Sequence, residues 1–127
     1  MVEIYGVKIE VIPHSRQRYE TLGDWFYEIA DGKPTLVIRV SSTGDWRSDM
    51  LVALHELVEA LLCRHAGVEQ ELVDNFDMTF VGDEPGDSVA APYRDQHCFA
   101  MAVERMLCAA MRMAWVEHEK RLENVSG

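Results

Sequence analysis

The segment GDWRSDMLVALHELVEALLCRHAG, residues 44–67, decides how the rest of the chain must fold. It predicts a helix over about residues 47–66, with Asp45 or Ser48 as N-cap and Gly67 as the C-terminal stop. At about 100° per residue, Leu51, Val52, His55, Glu59, Leu62 and Ala66 share one side of that helix. Leu54, Leu57, Ala60 and Leu61 cover much of the remainder. A helix that is apolar nearly all round is a buried one. His55 and Glu59 are then ionisable groups on an inward face, and a carboxylate there needs a partner.

Working outward, the N-terminal side supplies strands. Residues 2–12 alternate apolar and polar side chains and close at Pro13. Residues 14–24 are polar and irregular in pattern. Trp25–Ile29 and Thr35–Ser41 predict two further strands, joined through the turn-rich Ala30-Asp31-Gly32-Lys33-Pro34 as a hairpin. On the C-terminal side, residues 67–92 are mixed, rich in Asp and Glu, and contain no Lys or Arg. Pro92 suits the first turn of a second long helix over roughly residues 93–122. Strands first and helices afterwards predict an α+β fold: a small antiparallel sheet of about three strands packed with two main helices. The 127 residues fit one domain, 1–127.

Bulk properties narrow the function. A net charge of −10 argues against nucleic acid as a partner, because a phosphate backbone needs a basic footprint. It leaves room for a basic host or phage protein or peptide, or for mimicry of nucleic acid by the acidic surface. No apolar run approaches the roughly 18–20 residues of a membrane span. The opening MVEIYGVKIEVIP is strand-like and lacks the pattern of a signal peptide, so the expected location is the cytoplasm. Cys63, Cys98 and Cys108 are odd in number and lie in apolar stretches without a CxxC pair. They are expected to be small buried hydrophobes.

The chemistry that remains is that of His55, Glu56 and Glu59. His55 and Glu59 are one turn apart, about 6 Å of rise, so their side chains can converge on one ion. Glu56 is rotated by about 100° and can reach a water on that ion without ligating it. This is the geometry of the zinc-hydrolase helix His-Glu-x-x-His, with Glu59 where the second His is usual. Zinc accepts carboxylate oxygen as it does imidazole nitrogen, so the change does not forbid a site, for zinc or another divalent metal. His65 points about 80° away from His55 on an unbroken helix and is expected to be a polar residue of the last turn.

On the second helix, His97, Met101, Glu104, Cys108, Met111 and Trp115 form one stripe, apolar except for His97 and Glu104. Those two are seven residues and about 10.5 Å apart, too far for one ion with bonds near 2 Å. Either His97 is the third ligand and Glu104 does something else, or the reverse, or there are two ions. Asp74 and Asp77 are candidates for a further ligand or for orienting a ligand histidine.

The order strand, His-Glu helix, later helix resembles the minimal zincin domains, and most of all the small zinc-peptidase domain of prophage antirepressors. In that family a downstream helix reads Glu-x-x-Ala-x-x-Phe-Ala, its Glu being the third ligand. The matching segment here begins at His97, so the resemblance implies an exchange in which Glu59 replaces a His and His97 replaces a Glu. It implies a zinc-dependent, peptidase-like hydrolase with His55, Glu59 and His97 as metal ligands and Glu56 as general base. A carboxylate ligand leaves the bound water less acidic than three histidines would, so a weak hydrolase or a structural zinc is also compatible.

The chain is also similar to uncharacterised small phage and prophage proteins. The similarity lies in residues 17–25, 44–63, 73–77 and 84–87, and in APYRDQHCFAMAVER at 91–105. It implies a phage origin and action in the host cytoplasm, and no activity. Glu56-x-x-Glu59 is also half of the magnesium pattern of α-helical nucleotide pyrophosphohydrolases, but position 107, where the second half needs Asp, is Leu107. The competing expectation is a non-enzymatic acidic inhibitor or adaptor whose His/Glu cluster is structural.

Overall fold

Asp31 and Gly32, both in the left-handed region (φ 52° and 74°), make the two-residue turn that starts the sheet. The structure, a computed structural model, describes residues 4–82 and 84–126. Strands β2 (Gly23–Ala30) and β3 (Lys33–Ser41) form the expected hairpin, with a tighter turn than the sequence pattern predicts. Strand β1 (Gly6–Ile12) lies on the other side of β3 and parallel to it, giving the order β1-β3-β2. The sheet is therefore mixed, which corrects the expectation of an antiparallel one. Composition explains the order. Leu36, Val37, Ile38 and Val40 of β3 are inaccessible to solvent, and only the central strand of three has both faces and both edges covered. β1 carries Lys8 and Glu10 and takes an edge, where charge is tolerated. Residues 2 and 3 of the expected first strand lie outside the described residues.

Helix α1 (Trp46–Ala66) follows β3 after a short loop, and its N-cap is Asp45, which accepts from the Arg47 N–H at 2.9 Å. Ser48, the other candidate, is buried inside the first turn. Gly67 closes the helix at φ 77°, with its N–H bonded to Arg64 and the Val68 N–H to Cys63. α1 packs on the sheet through Val52, Ala53, Ala60 and Cys63, against Trp25, Leu36, Ile38 and Val40. It is not apolar-buried all round, because Leu61 is exposed and Leu54 and Leu57 are partly so. Among the described residues, no helix is long and apolar enough to cross a membrane.

Two features of the C-terminal half depart from the sequence reading. The acidic stretch contains a helix, α2 (Gln70–Thr79), that seats Val73 in the core. The predicted second long helix is two, α3 (Arg94–Ala110) and α4 (Trp115–Ser126). Arg112, at φ 57°, turns the chain between them. Its N–H bonds to the Ala109 carbonyl at 2.9 Å and the Met113 N–H to the Cys108 carbonyl at 3.1 Å, the same pair of bonds that ends α1. A left-handed L-residue costs roughly 1–2 kcal/mol. Against that cost the turn buries Met113 between Leu51 and Cys108. No Gly or Pro marks the break. Of the cysteines, Cys63 and Cys108 are buried as expected, whereas Cys98 is exposed.

Candidate metal centre

His55 and Glu59 project from α1 towards α3, which brings His97 to meet them; all three side chains are almost wholly buried. His55 Nε2 lies 3.3 Å from Glu59 Oε2 and 3.2 Å from His97 Nδ1, and the last two atoms are 3.1 Å apart. The three atoms form a nearly equilateral triangle, and the group could hold a metal ion.

Each of these atoms belongs to a side chain whose position is fixed from behind. His55 Nδ1 donates to Glu104 Oε1 at 2.8 Å. A carboxylate only accepts, so the proton of a neutral His55 sits on Nδ1 and leaves the Nε2 lone pair facing the triangle. Glu104 is held in turn by His118 of α4, whose Nε2–H donates to Oε2 at 2.5 Å. His118 Nδ1 then accepts from Ser48 Oγ at 3.0 Å, and Ser48 Oγ accepts from Arg121 at 3.4 Å. Glu59 uses Oε1 to accept the Trp25 indole N–H at 3.1 Å, which turns Oε2 to the centre. His97 Nε2 is buried without a hydrogen bond, and Asp87 Oδ1 is the nearer of two carboxylates, at 3.4 Å. Gly86 lies against the His97 ring: a Cβ there would stand 2.3 Å from Cγ, so no side chain fits.

The electrostatics of the metal-free cluster follow from the same contacts. Burial acts to lower the His55 pKa, but the hydrogen bonds to Glu104 and Glu59 outweigh it and raise it to about 11. Burial acts to raise Glu59, and the two imidazoles overcome it and hold the carboxyl at about 2. Glu56 is pushed well above the ordinary carboxyl range by burial and then by the charge of Glu59. A proton on His55 thus occupies electrostatically the place that a cation would take.

As their spacing on α3 predicts, His97 and Glu104 do not share a position, and Glu104 stands behind His55. Glu56 lies beside the triangle, its Oε2 3.8 Å from His55 Nε2, outside the ligand group. His65 is exposed in the last turn of α1, as expected. Asp74 and Asp77 do not reach the centre. Asp74 pairs with Arg18 at 3.1 Å, while Asp77 accepts from Tyr19 at 3.1 Å and from Tyr93. Asp77 supports the site only indirectly, since the Tyr93 ring stands edge-on to His97. His118 and Ser48 escaped the sequence reading. On an unbroken helix His118 would lie about 21 Å beyond Glu104, and only the reversal at Arg112 brings the two together.

A cleft of about 670 Å³ opens over the cluster, with Gly23, Glu56, Glu59, Tyr93, His97 and Met101 among its walls. The ligand triangle therefore has a route to solvent on one side. Comparison of the chain with known protein families, with curated proteins and with solved structures gave no match.

Proposed function

We propose that the chain is a small zinc-dependent hydrolase of peptidase type, with His55, Glu59 and His97 as ligands and Glu56 as general base. One observation carries the reading. Four ligands at about 2.0–2.1 Å from a tetrahedral zinc stand roughly 3.3–3.4 Å from one another, and the three inward atoms here are 3.1–3.3 Å apart. With His55 protonated on Nδ1, its inward atom is a lone pair facing a carboxylate oxygen and a second imidazole nitrogen. A cation satisfies all three at once.

Held by His55, Glu59 and His97, a zinc ion would supply Lewis-acid activation of a water for attack. Glu56 does the proton work. Its carboxylate borders the cleft, takes a proton from the attacking water and delivers it to the leaving amine. The raised affinity of Glu56 for a proton suits that role, and a bound cation nearby would lower it again. Trp25 and Glu104 keep Glu59 and His55 from turning away. Phage origin and action in the host cytoplasm belong to the same proposal, on the resemblance alone.

A second reading is favoured by the high His55 pKa. Once protonated, His55 bonds both Glu104 and Glu59, and the cluster is satisfied as a structural ion-pair network. The protein is then an acidic adaptor that meets a basic partner. Elemental analysis separates the two. About one zinc per chain, lost in His55→Ala and in His97→Ala, is expected; folded wild-type protein free of metal after purification and zinc dialysis would overturn the first reading. Glu56→Gln should keep the zinc and lose hydrolysis of a mixed peptide library.

A further inference from the structure

β1 is an edge strand, and its side facing away from β3 pairs with no strand among the described residues. The Ser42 N–H bonds to the Ile12 carbonyl at 2.8 Å, and Pro13 has no N–H to offer, so the even-numbered residues of β1 direct their backbone groups to β3. The odd-numbered ones, Val7, Ile9 and Val11, present theirs outward. On the face shared with Leu36, Ile38 and Val40, β1 adds Val7, Ile9 and Val11, which remain 49%, 44% and 43% exposed. An edge with free donors, free acceptors and an apolar row is a template for another strand.

The identity of that strand follows from the register. β1 runs from Gly6 to Ile12 and is centred on Ile9. If a second copy pairs antiparallel about a two-fold axis at Ile9, the overlap is complete. Lys8 then lies opposite Glu10 of the second copy, and Glu10 opposite its Lys8, both as non-hydrogen-bonded pairs, in which facing side chains stand closest. Val7 meets Val11 of the second copy, and Ile9 meets its own equivalent. Shifting the axis to Lys8 or to Glu10 sets like charges face to face, which is destabilising. The register of full overlap is therefore also the one in which every charge is matched. The pattern extends inwards. Lys8 bonds Glu28 at 2.8 Å and Glu10 bonds Arg39 at 3.2 Å. The row across the junction would read Glu28, Lys8, then Glu10 and Arg39 of the second copy, with alternating sign.

We propose that β1 is a self-association edge, and that two copies of the chain join through it into one six-stranded sheet with the two-fold axis at Ile9. The joint is a single strand pair, small by the standard of stable interfaces, so a dissociation constant in the micromolar range is expected. Sedimentation velocity should show the native protein passing from monomer to dimer across micromolar concentrations, and K8E, which sets a carboxylate against Glu10, should remain monomeric. Cysteine pairing locates the axis. In a C98S background, which removes the exposed thiol, mild oxidation should cross-link I9C to itself. V7C alone and V11C alone should stay single, and a mixture of the two should cross-link. A native protein that is monomeric throughout, or V7C that self-links as well as I9C, overturns the proposal. If a cysteine variant fails to fold by far-UV circular dichroism, the comparison of native protein with K8E decides.

Discussion

At the scale of single residues, the cluster turns on which nitrogen of His55 carries the proton. Glu104 settles this by accepting from Nδ1, and it can do so because His118 occupies its other oxygen. Glu104→Gln keeps the shape and an accepting oxygen but removes the charge that makes His55 a good ligand. Loss of such an outer partner lowers metal affinity by about 10–100-fold. Competition against a chromophoric chelator should show zinc binding weakened within that range, with the circular dichroism spectrum unchanged. Zinc affinity equal to wild type would mean that Glu104 serves packing alone. His55 and Glu59 were legible in the sequence because helical spacing fixes which side chains share a face, whereas spacing left His97 and Glu104 as alternatives and only the resemblance chose His97. Trp25, Ser48 and His118 were not legible, because their roles depend on contacts between elements. The indole N–H of Trp25 reaches Glu59 across 34 positions of sequence.

Among the elements, the deciding one is the reversal between α3 and α4. Hydrophobic periodicity ran on through it, since Met111 and Trp115 continue the stripe of α3 in register. The break is written in no single residue type; burial of Met113 against Leu51 and Cys108 outweighs a strained Arg112. Two substitutions weigh these terms. Arg112→Gly relieves the left-handed strain and should stabilise the fold by up to about 1 kcal/mol, less what glycine adds to the entropy of the unfolded chain. Met113→Ala removes the buried side chain that fixes the turn and should cost about 2–5 kcal/mol. Urea titration measures both. A Met113→Ala protein as stable as wild type would show that His118 and Arg121, rather than Met113, hold α4 in place. The sheet carries the same lesson. The hairpin was legible from Asp31-Gly32, whereas the parallel docking of β1 was not, because strand order depends on which strand best tolerates burial on both faces.

For the whole molecule, the proposed metal and protons would compete for the same lone pairs. The His55 pKa stands near 11 in the metal-free fold, against about 6.5 in an unfolded chain. Its protonated form therefore contributes stability in full below about pH 6.5, and that contribution is lost as the pH climbs towards 11. Metal-free protein should become less stable between pH 6 and pH 8, by on the order of 1 kcal/mol per pH unit from this group. Zinc needs the imidazoles without their inward protons, so its affinity rises over the same interval. Stabilisation by a ligand grows with its affinity for the folded state, so the zinc-loaded protein is protected where the metal-free one is failing. Thermal melts in excess zinc and in EDTA should accordingly diverge, by roughly 3–6 °C for each unit of pH. The gap is smallest at pH 6 and widest at pH 8. A gap that stays constant, or closes as the pH rises, would mean that zinc binds elsewhere than the lone pairs of His55 and His97, and the buried cluster would then be an ion-pair network that needs no metal.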